Sequence, residues 1–298
     1  MTTRLIAALL ISTSACVPSF EDRPWRVEEG RVLAVSVSPP EARPGEVVSF
    51  DALVVDADGD RQDVVGWSFC TLPRTAGERT GVTDRCARGK SLEPVTNPGA
   101  LLPDACARFG PNTPPTQGDE PAQRPADPDP SGGYHLPVRA HVDGTAPFLA
   151  FGFARVRCDL VGVTRTIFDD FEARYSSNAN PVIESVLSDD DVVAEPLEVA
   201  RGETVSFAVD LSATSFEPYV VYVAADGALE AKTETLTVRW YVTDGELSAG
   251  KVTASPASHG ASQIEWTAPD TDGQIAAWAV VADDRGGIAW RGFLIDVR

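Results

Sequence analysis

The chain has 298 residues, with 44 acidic against 25 basic side chains and a formal charge of −19. Such a surface repels nucleic-acid phosphates and anionic bilayers, which excludes nucleic acid as a partner and leaves protein or glycan. The length suffices for two domains, each burying its own core.

The chain opens as a targeting segment. Arg4 is followed by the short apolar run Leu5 to Ile11, too short to span a bilayer, and then by Thr13-Ser14-Ala15-Cys16. This pattern resembles the lipobox of bacterial lipoproteins, with threonine where the family usually has leucine. The resemblance implies removal of residues 1–15, acylation of Cys16 and a lipid anchor in the cell envelope as the only link to the membrane. Val17 in place of a retention aspartate points to the outer membrane. The competing account is an ordinary secretory signal that ends in cysteine. Residues 16–30, polar with Pro18 and Pro24, read as a tether.

A first domain is expected over 31–175. Arg31 to Val37 alternates as a strand and stops at Pro39-Pro40. Gly45-Glu46-Val47-Val48-Ser49-Phe50 follows a turn signal and starts a strand with Val48, Phe50, Ala52 and Val54 on one face. The turn Asp56-Ala57-Asp58-Gly59-Asp60 leads to a strand with Val65, Trp67 and Phe69 on one side. Residues 71–133 lack periodicity, and eleven of the chain's 23 prolines lie between Pro94 and Pro137. The stretch reads as a proline-rich insertion rather than as central strand. Cys70, Cys86, Cys106 and Cys158 are an even set in an exported chain, so two disulfides are expected. Loop-closure entropy favours the nearest pair, Cys70–Cys86, which leaves Cys106–Cys158 to pin the insertion. Strands are expected again at Tyr134 to Val142, Phe148 to Cys158 and Val161 to Phe171.

Residues 176–180 read as a linker. Their Asn-rich character is similar to a cadherin junction, but the calcium-binding aspartates of that family are missing. The second domain, 181–298, repeats the motif as Gly202-Glu203-Thr204-Val205-Ser206-Phe207, 157 residues after the first copy. Leu236, Val238, Trp240 and Val242 point one way. Gln274 to Val281, the turn Asp283-Asp284-Arg285-Gly286-Gly287 and Ile288 to Val297 form a closing hairpin. No segment reads as an amphipathic helix. The order Gly-Glu-x-Val-Ser-Phe, tryptophan strand, Gly-x-Ile-x-Ala strand and Asp-Asp-Arg-Gly-Gly hairpin resembles the bacterial immunoglobulin-like and PKD-type surface modules. It implies an all-β fold of two tandem Ig-like β-sandwiches. Modules of that kind space, dock or adhere, and the resemblance carries no catalytic residues.

The expected function is therefore a non-enzymatic, lipid-anchored adhesion or ligand-binding module. The alternative is a structural spacer or accessory subunit of an envelope complex, and a hydrolase is the distant third. His135 and His141 share the outward parity of Arg139, and His259 lies in Ser258-His259-Gly260 without a nucleophile elbow. No cofactor is expected. Calcium is the one metal candidate, at Asp56, Asp58, Asp60 and Asp63, against the simpler account that aspartate and glycine build a solvated turn. Strand alternation places Tyr241, Trp278 and Trp290 on the outer face of the second domain beside Arg239, an aromatic docking patch of the kind protein interfaces and sugar-stacking sites use.

Overall fold

The structure is a computed structural model and describes residues 23–61, 63–73, 81–109, 133–143, 147–160, 162–223, 225–254 and 263–298. Residues 1–15, expected as a signal segment, Cys16, residues 110–132 and His259 lie outside the described residues. The first unit comprises β1 (Arg31–Ser38), β2 (Glu41–Ala42), β3 (Val47–Asp56), β4 (Gly59–Asp60), β5 (Val65–Cys70), α1 (Asp84–Ala87), β6 (Leu92–Val95), β7 (Gly99–Ala100), α2 (Ala105–Phe109), β8 (Gly133–Val142), β9 (Phe148–Arg157) and α3 (Arg165–Arg174). The second comprises β10 (Ile183–Ser188), β11 (Asp191–Val192), β12 (Leu197–Val199), β13 (Thr204–Leu211), β14 (Pro218–Val223), β15 (Ala228–Thr233), β16 (Leu236–Val242), β17 (Glu246–Leu247), β18 (Lys251–Ala254), β19 (Ile264–Thr267), β20 (Gly273–Ala282) and β21 (Ile288–Val297).

The protein is all-β, and each unit is a sandwich of two sheets. In the first, β1–β3–β4, with β7 also on β3, faces β2–β9–β8–β5–β6. In the second, β11–β10–β13–β19–β17 faces β12–β21–β20–β16–β18, and β14–β15 stands apart as a hairpin. Both units use one plan: a short strand after the first (β2, β12) crosses to the other sheet and runs parallel to the last strand (β9, β21).

The repeated Gly-Glu does the same job in each copy. Gly45 and Gly202 have φ of +80° and +69°. The following glutamate closes the turn from both ends. Glu46 N–H reaches Arg43 O at 3.1 Å, and its carboxylate accepts Arg43 N–H at 2.7 Å. Glu203 N–H reaches Ala200 O at 3.1 Å, and its carboxylate accepts Ala200 N–H at 2.8 Å. The phenylalanine that ends the motif stacks on the tryptophan of the next core strand. Phe50 lies 5.3 Å from Trp67 and Phe207 5.8 Å from Trp240. Each core thus forms around an aromatic pair that the turn aims inward.

Disulfides join Cys70 to Cys86 and Cys106 to Cys158. The structure corrects three expectations of local structure. Residues 71–133 are not wholly an insertion. β6 extends the β5 edge, where Pro94 needs no outward ladder donor, and β7 pairs with β3; Leu101, Leu102, Ala105 and Phe109 fill the first core. Residues 165–174 form α3 rather than a strand. Thr164 accepts the Ile167 N–H at its start, and Arg165–Asp169 and Asp170–Arg174 pair one turn apart. The tether does not extend to residue 30. Val27 is fully buried, and Val27 N–H and Trp25 O bond to Val242 of β16, so residues 25–27 strap the chain to the second unit.

If the two turns are equivalent, Gly45→Ala and Gly202→Ala should each cost about 1 kcal/mol, because alanine is disfavoured at positive φ. Urea unfolding of each variant measures this; a midpoint unchanged in either would break the equivalence.

Candidate functional site

Along β20, Ile275, Ala277, Ala279 and Val281 enter the second unit's own core with Phe293, Ile295 and Val297 of β21. The alternate residues Ala276, Trp278 and Val280 point outward, as period two requires. They do not meet solvent. Ala34 of β1, Leu53 and Val55 of β3 and Val27 of the strap close over them, and Trp278 is 1% exposed. The expected open aromatic patch is therefore an interface between the two units. Trp278 Nε1 donates to Asp60 Oδ1 at 2.5 Å, so the indole is both buried and held across the seam. Tyr241 is half-buried beneath the Arg31 guanidinium, 5.6 Å from its ring centre. Arg239 stays exposed, and Trp290 is half-buried at the rim of the seam.

The acidic turn is tied into the hairpin and the seam. Asp56 Oδ1 accepts the Asp58 N–H at 2.9 Å, and its Oδ2 accepts from Arg61 at 2.9 Å. Asp63 takes the other side of the same guanidinium at 2.6 and 3.0 Å, and Arg61 holds its carboxyl below the usual aspartate value. Asp60 accepts from Trp278. Among the described residues no three carboxylate, histidine or cysteine groups converge on a point. In this structure Asp56 and Asp63 hold Arg61, the Asp58 N–H bonds to Asp56, and Asp60 makes a seam contact.

Residues 176–180 are not a free linker. They thread a buried polar network built around Arg285, from the turn between β20 and β21, which is 5% exposed. Its guanidinium donates to Glu41 at 3.0 Å, to Tyr175 Oη at 2.8 Å, to the Ser176 carbonyl at 2.7 Å and to Glu234 at 3.1 Å. Glu41, from the first unit, also accepts from Tyr175 Oη and from the Asn178 N–H. Arg155 lies 3.5 Å from Glu41, and Glu217 lies 3.6 Å from Arg285. Asp283 accepts backbone N–H groups from Arg285 and Gly287 and the Asn178 amide. His135, expected in solvent, sits with Nε2 3.2 Å from the Arg285 carbonyl. Burial pushes Glu234 up to about 8, with Asp283 acting in the same direction and Arg285 opposing. Burial raises Asp283 as well, against its backbone hydrogen bonds. Beside this network α3 packs on the β14–β15 hairpin through Phe171, Tyr175 and Val220.

Where the seam opens, a groove of about 710 Å³ runs along β3. It is lined by Asp51, Ala52, Arg61 and Asp63, by Trp67 and Asn97, and by Trp290 of the second unit. Trp290 alone of the predicted patch residues reaches it, beside Asp60 and Asp63 of the acidic turn. Sequence reasoning missed Glu41, Glu234 and Arg285. The only signal was an arginine between aspartates and glycines in a turn, which any solvated turn also shows.

No known family model and no curated protein matches the sequence. Solved structures give low similarity. The latent PorU of Porphyromonas gingivalis is 13% identical with a TM-score of 0.25, covering 92% of this chain and 24% of its own. The extracellular domain of protocadherin GammaB4 is 11% identical with a TM-score of 0.18, covering 91% and 34%. A marsupial T cell receptor is 11% identical with a TM-score of 0.18, covering 88% and 61%. The chain spans about a quarter or less of the first three solved chains it matches. At such scores the description of the fold stands on strand pairing in this chain alone.

Two outcomes follow from the seam. Trp278→Ala removes a fully covered indole and should cost about 3–5 kcal/mol in denaturant unfolding; a loss typical of an exposed position would contradict the closed seam. Glu234 holds a proton in the folded state up to about pH 8, whereas the unfolded chain releases it near 4.5. The folded form then binds more protons across that window, so this group's contribution to stability falls as pH rises from 4.5 through 8. The parent's thermal midpoint should fall relative to that of Glu234→Gln across the window; parallel curves would refute the assignment.

Proposed function

We propose that this chain is a non-enzymatic binding module of the bacterial cell envelope, attached through acylated Cys16, in which the two sandwiches act as one body and the seam groove faces the partner. The observation that carries the reading is the closed seam. Trp278, the strap at Val27 and the Arg285 network hold the units together, and the groove along that seam draws Trp290 from the second unit and β3 and β5 from the first. A surface assembled from both units keeps its shape only while they stay joined, which is a reason to bury charge at the junction. The same fixed junction also suits a structural spacer or accessory subunit of an envelope complex. The spacer reading needs no groove.

The anchor and the groove are tested separately. Mass spectrometry of membrane-extracted protein should find an N-terminal acylated Cys16; an unmodified thiol or a different cleavage point removes the anchor from the account. Affinity capture from detergent-solubilised envelope should retain a partner with the parent chain and lose it with Trp290→Ala at equal folding. Capture that is indifferent to Trp290 favours the spacer.

A further inference from the structure

The edge of β3 that borders the groove is incomplete. At one end β4 covers it through the pairs Val55–Asp60 and Asp56–Gly59, and the Arg61 N–H reaches Val54 O at 2.9 Å. At the other end β7 pairs with only Val47 and Val48. Phe50 is met by a side chain instead of a strand: Asn97 Oδ1 accepts its N–H at 2.8 Å and Asn97 Nδ2 donates to its carbonyl at 2.6 Å. That is the pair of bonds a neighbouring peptide group would make. Ala52 has no strand opposite it on that side among the described residues, and its N–H is met by Asp51 Oδ1 at 2.8 Å. In the second unit the stretch equivalent to Val47–Phe50 is paired, Thr204–Phe207 against β19, and Val209, the counterpart of Ala52, lies beyond that ladder.

The chemistry beside this gap is one-sided. Asp51, Asp60 and Asp63 line the groove, and its one basic residue, Arg61, is already clamped by Asp56 and Asp63. Trp67 and Trp290 add aromatic faces. Carboxylates and π-faces therefore outnumber cations among the lining residues, next to a strand edge where Ala52 is met by a neighbouring side chain and not by a strand. Resting on the binding-module reading, we propose that the groove receives an extended peptide segment of another protein carrying lysine or arginine. Its backbone pairs with β3 at Ala52, displacing the Asp51 carboxylate from the Ala52 N–H, and its cationic side chain lies between the carboxylates and the tryptophans. The carboxylates favour a basic segment over an acidic one by charge complementarity.

The test is fluorescence anisotropy with the full chain in detergent at low salt, titrated against labelled Val-Lys-Val-Lys-Val. Three comparison probes are Val-Glu-Val-Glu-Val, the lysine peptide N-methylated at alternate residues, and chitotetraose as a competing glycan. Binding of the lysine peptide is expected, weakening with salt and at least about tenfold weaker for the glutamate peptide, a difference of 1.4 kcal/mol. N-methylation should abolish it. Asp51→Lys, an exposed position, should reduce it about tenfold with the thermal midpoint unchanged, and Trp290→Ala should weaken it as well. Equal binding of both peptides, indifference to N-methylation, displacement by chitotetraose or no binding at all overturns the proposal. A partner captured from the envelope that the lysine peptide fails to displace leaves the binding module standing and removes this occupant.

Discussion

A guanidinium cannot be taken out of water unless carboxylates and carbonyls meet it, and at Arg285 those groups come from both halves of the chain. Glu41 belongs to the first sandwich, Glu234 to the second, and the Ser176 carbonyl and Tyr175 to the segment between them. Burying a lone ion would cost several kcal/mol, so the second unit can bury Arg285 only where Glu41 is supplied. Net stabilisation from such a pair is small once desolvation is counted. Its larger effect is selective: any other angle between the units leaves a buried charge without a partner. The rest of the junction is arranged around that requirement.

The apolar seam supplies the energy that the polar network does not. Trp278, Val280 and Ala276 are covered by Leu53, Val55, Ala34 and Val27, and burial of such side chains contributes about 1.5–3 kcal/mol each for the larger ones. The two parts are complementary: non-directional burial holds the faces together, and the ion network fixes their register. One consequence reaches the acidic turn. Because Asp60 accepts from Trp278 and Arg61 neutralises Asp56 and Asp63, the turn is a fitting of the seam. A second consequence is the groove itself, whose two tryptophans come from different units and line one groove only in the closed arrangement.

Much of this was legible locally. The Gly-Glu turn, the phenylalanine that follows it and the tryptophan of the next strand are short-range features, and they recur in both units with the same hydrogen bonds. Alternation sorted β20 and β21 correctly: Ile275, Ala277 and Phe293 inward, Trp278 and Trp290 outward. One local signal passed unread. From Ile275 to Ala282 β20 has no polar residue on either face, whereas Thr237 and Arg239 mark the outer side of β16. A continuous apolar run is what a strand covered on both faces shows. The helix at 165–174 was missed for the opposite reason: its apolar residues are few and its support comes from a cap and ion pairs.

By itself the sequence determined the framework strands around the two repeated motifs, the face each of their side chains takes and the aromatic residues that enter the two cores, because those follow from backbone periodicity over a few residues. Only the tertiary structure decided that the outward face of β20 is not a surface, that Asp60 and Asp63 stand at the seam beside Trp278 and Arg61, and that an arginine in a turn is the centre of the junction. Each depends on groups more than a hundred residues apart: Trp278 on Asp60, Arg285 on Glu41. Exposure and charge pairing are properties of what lies opposite a residue. Strand alternation says only which way the residue points.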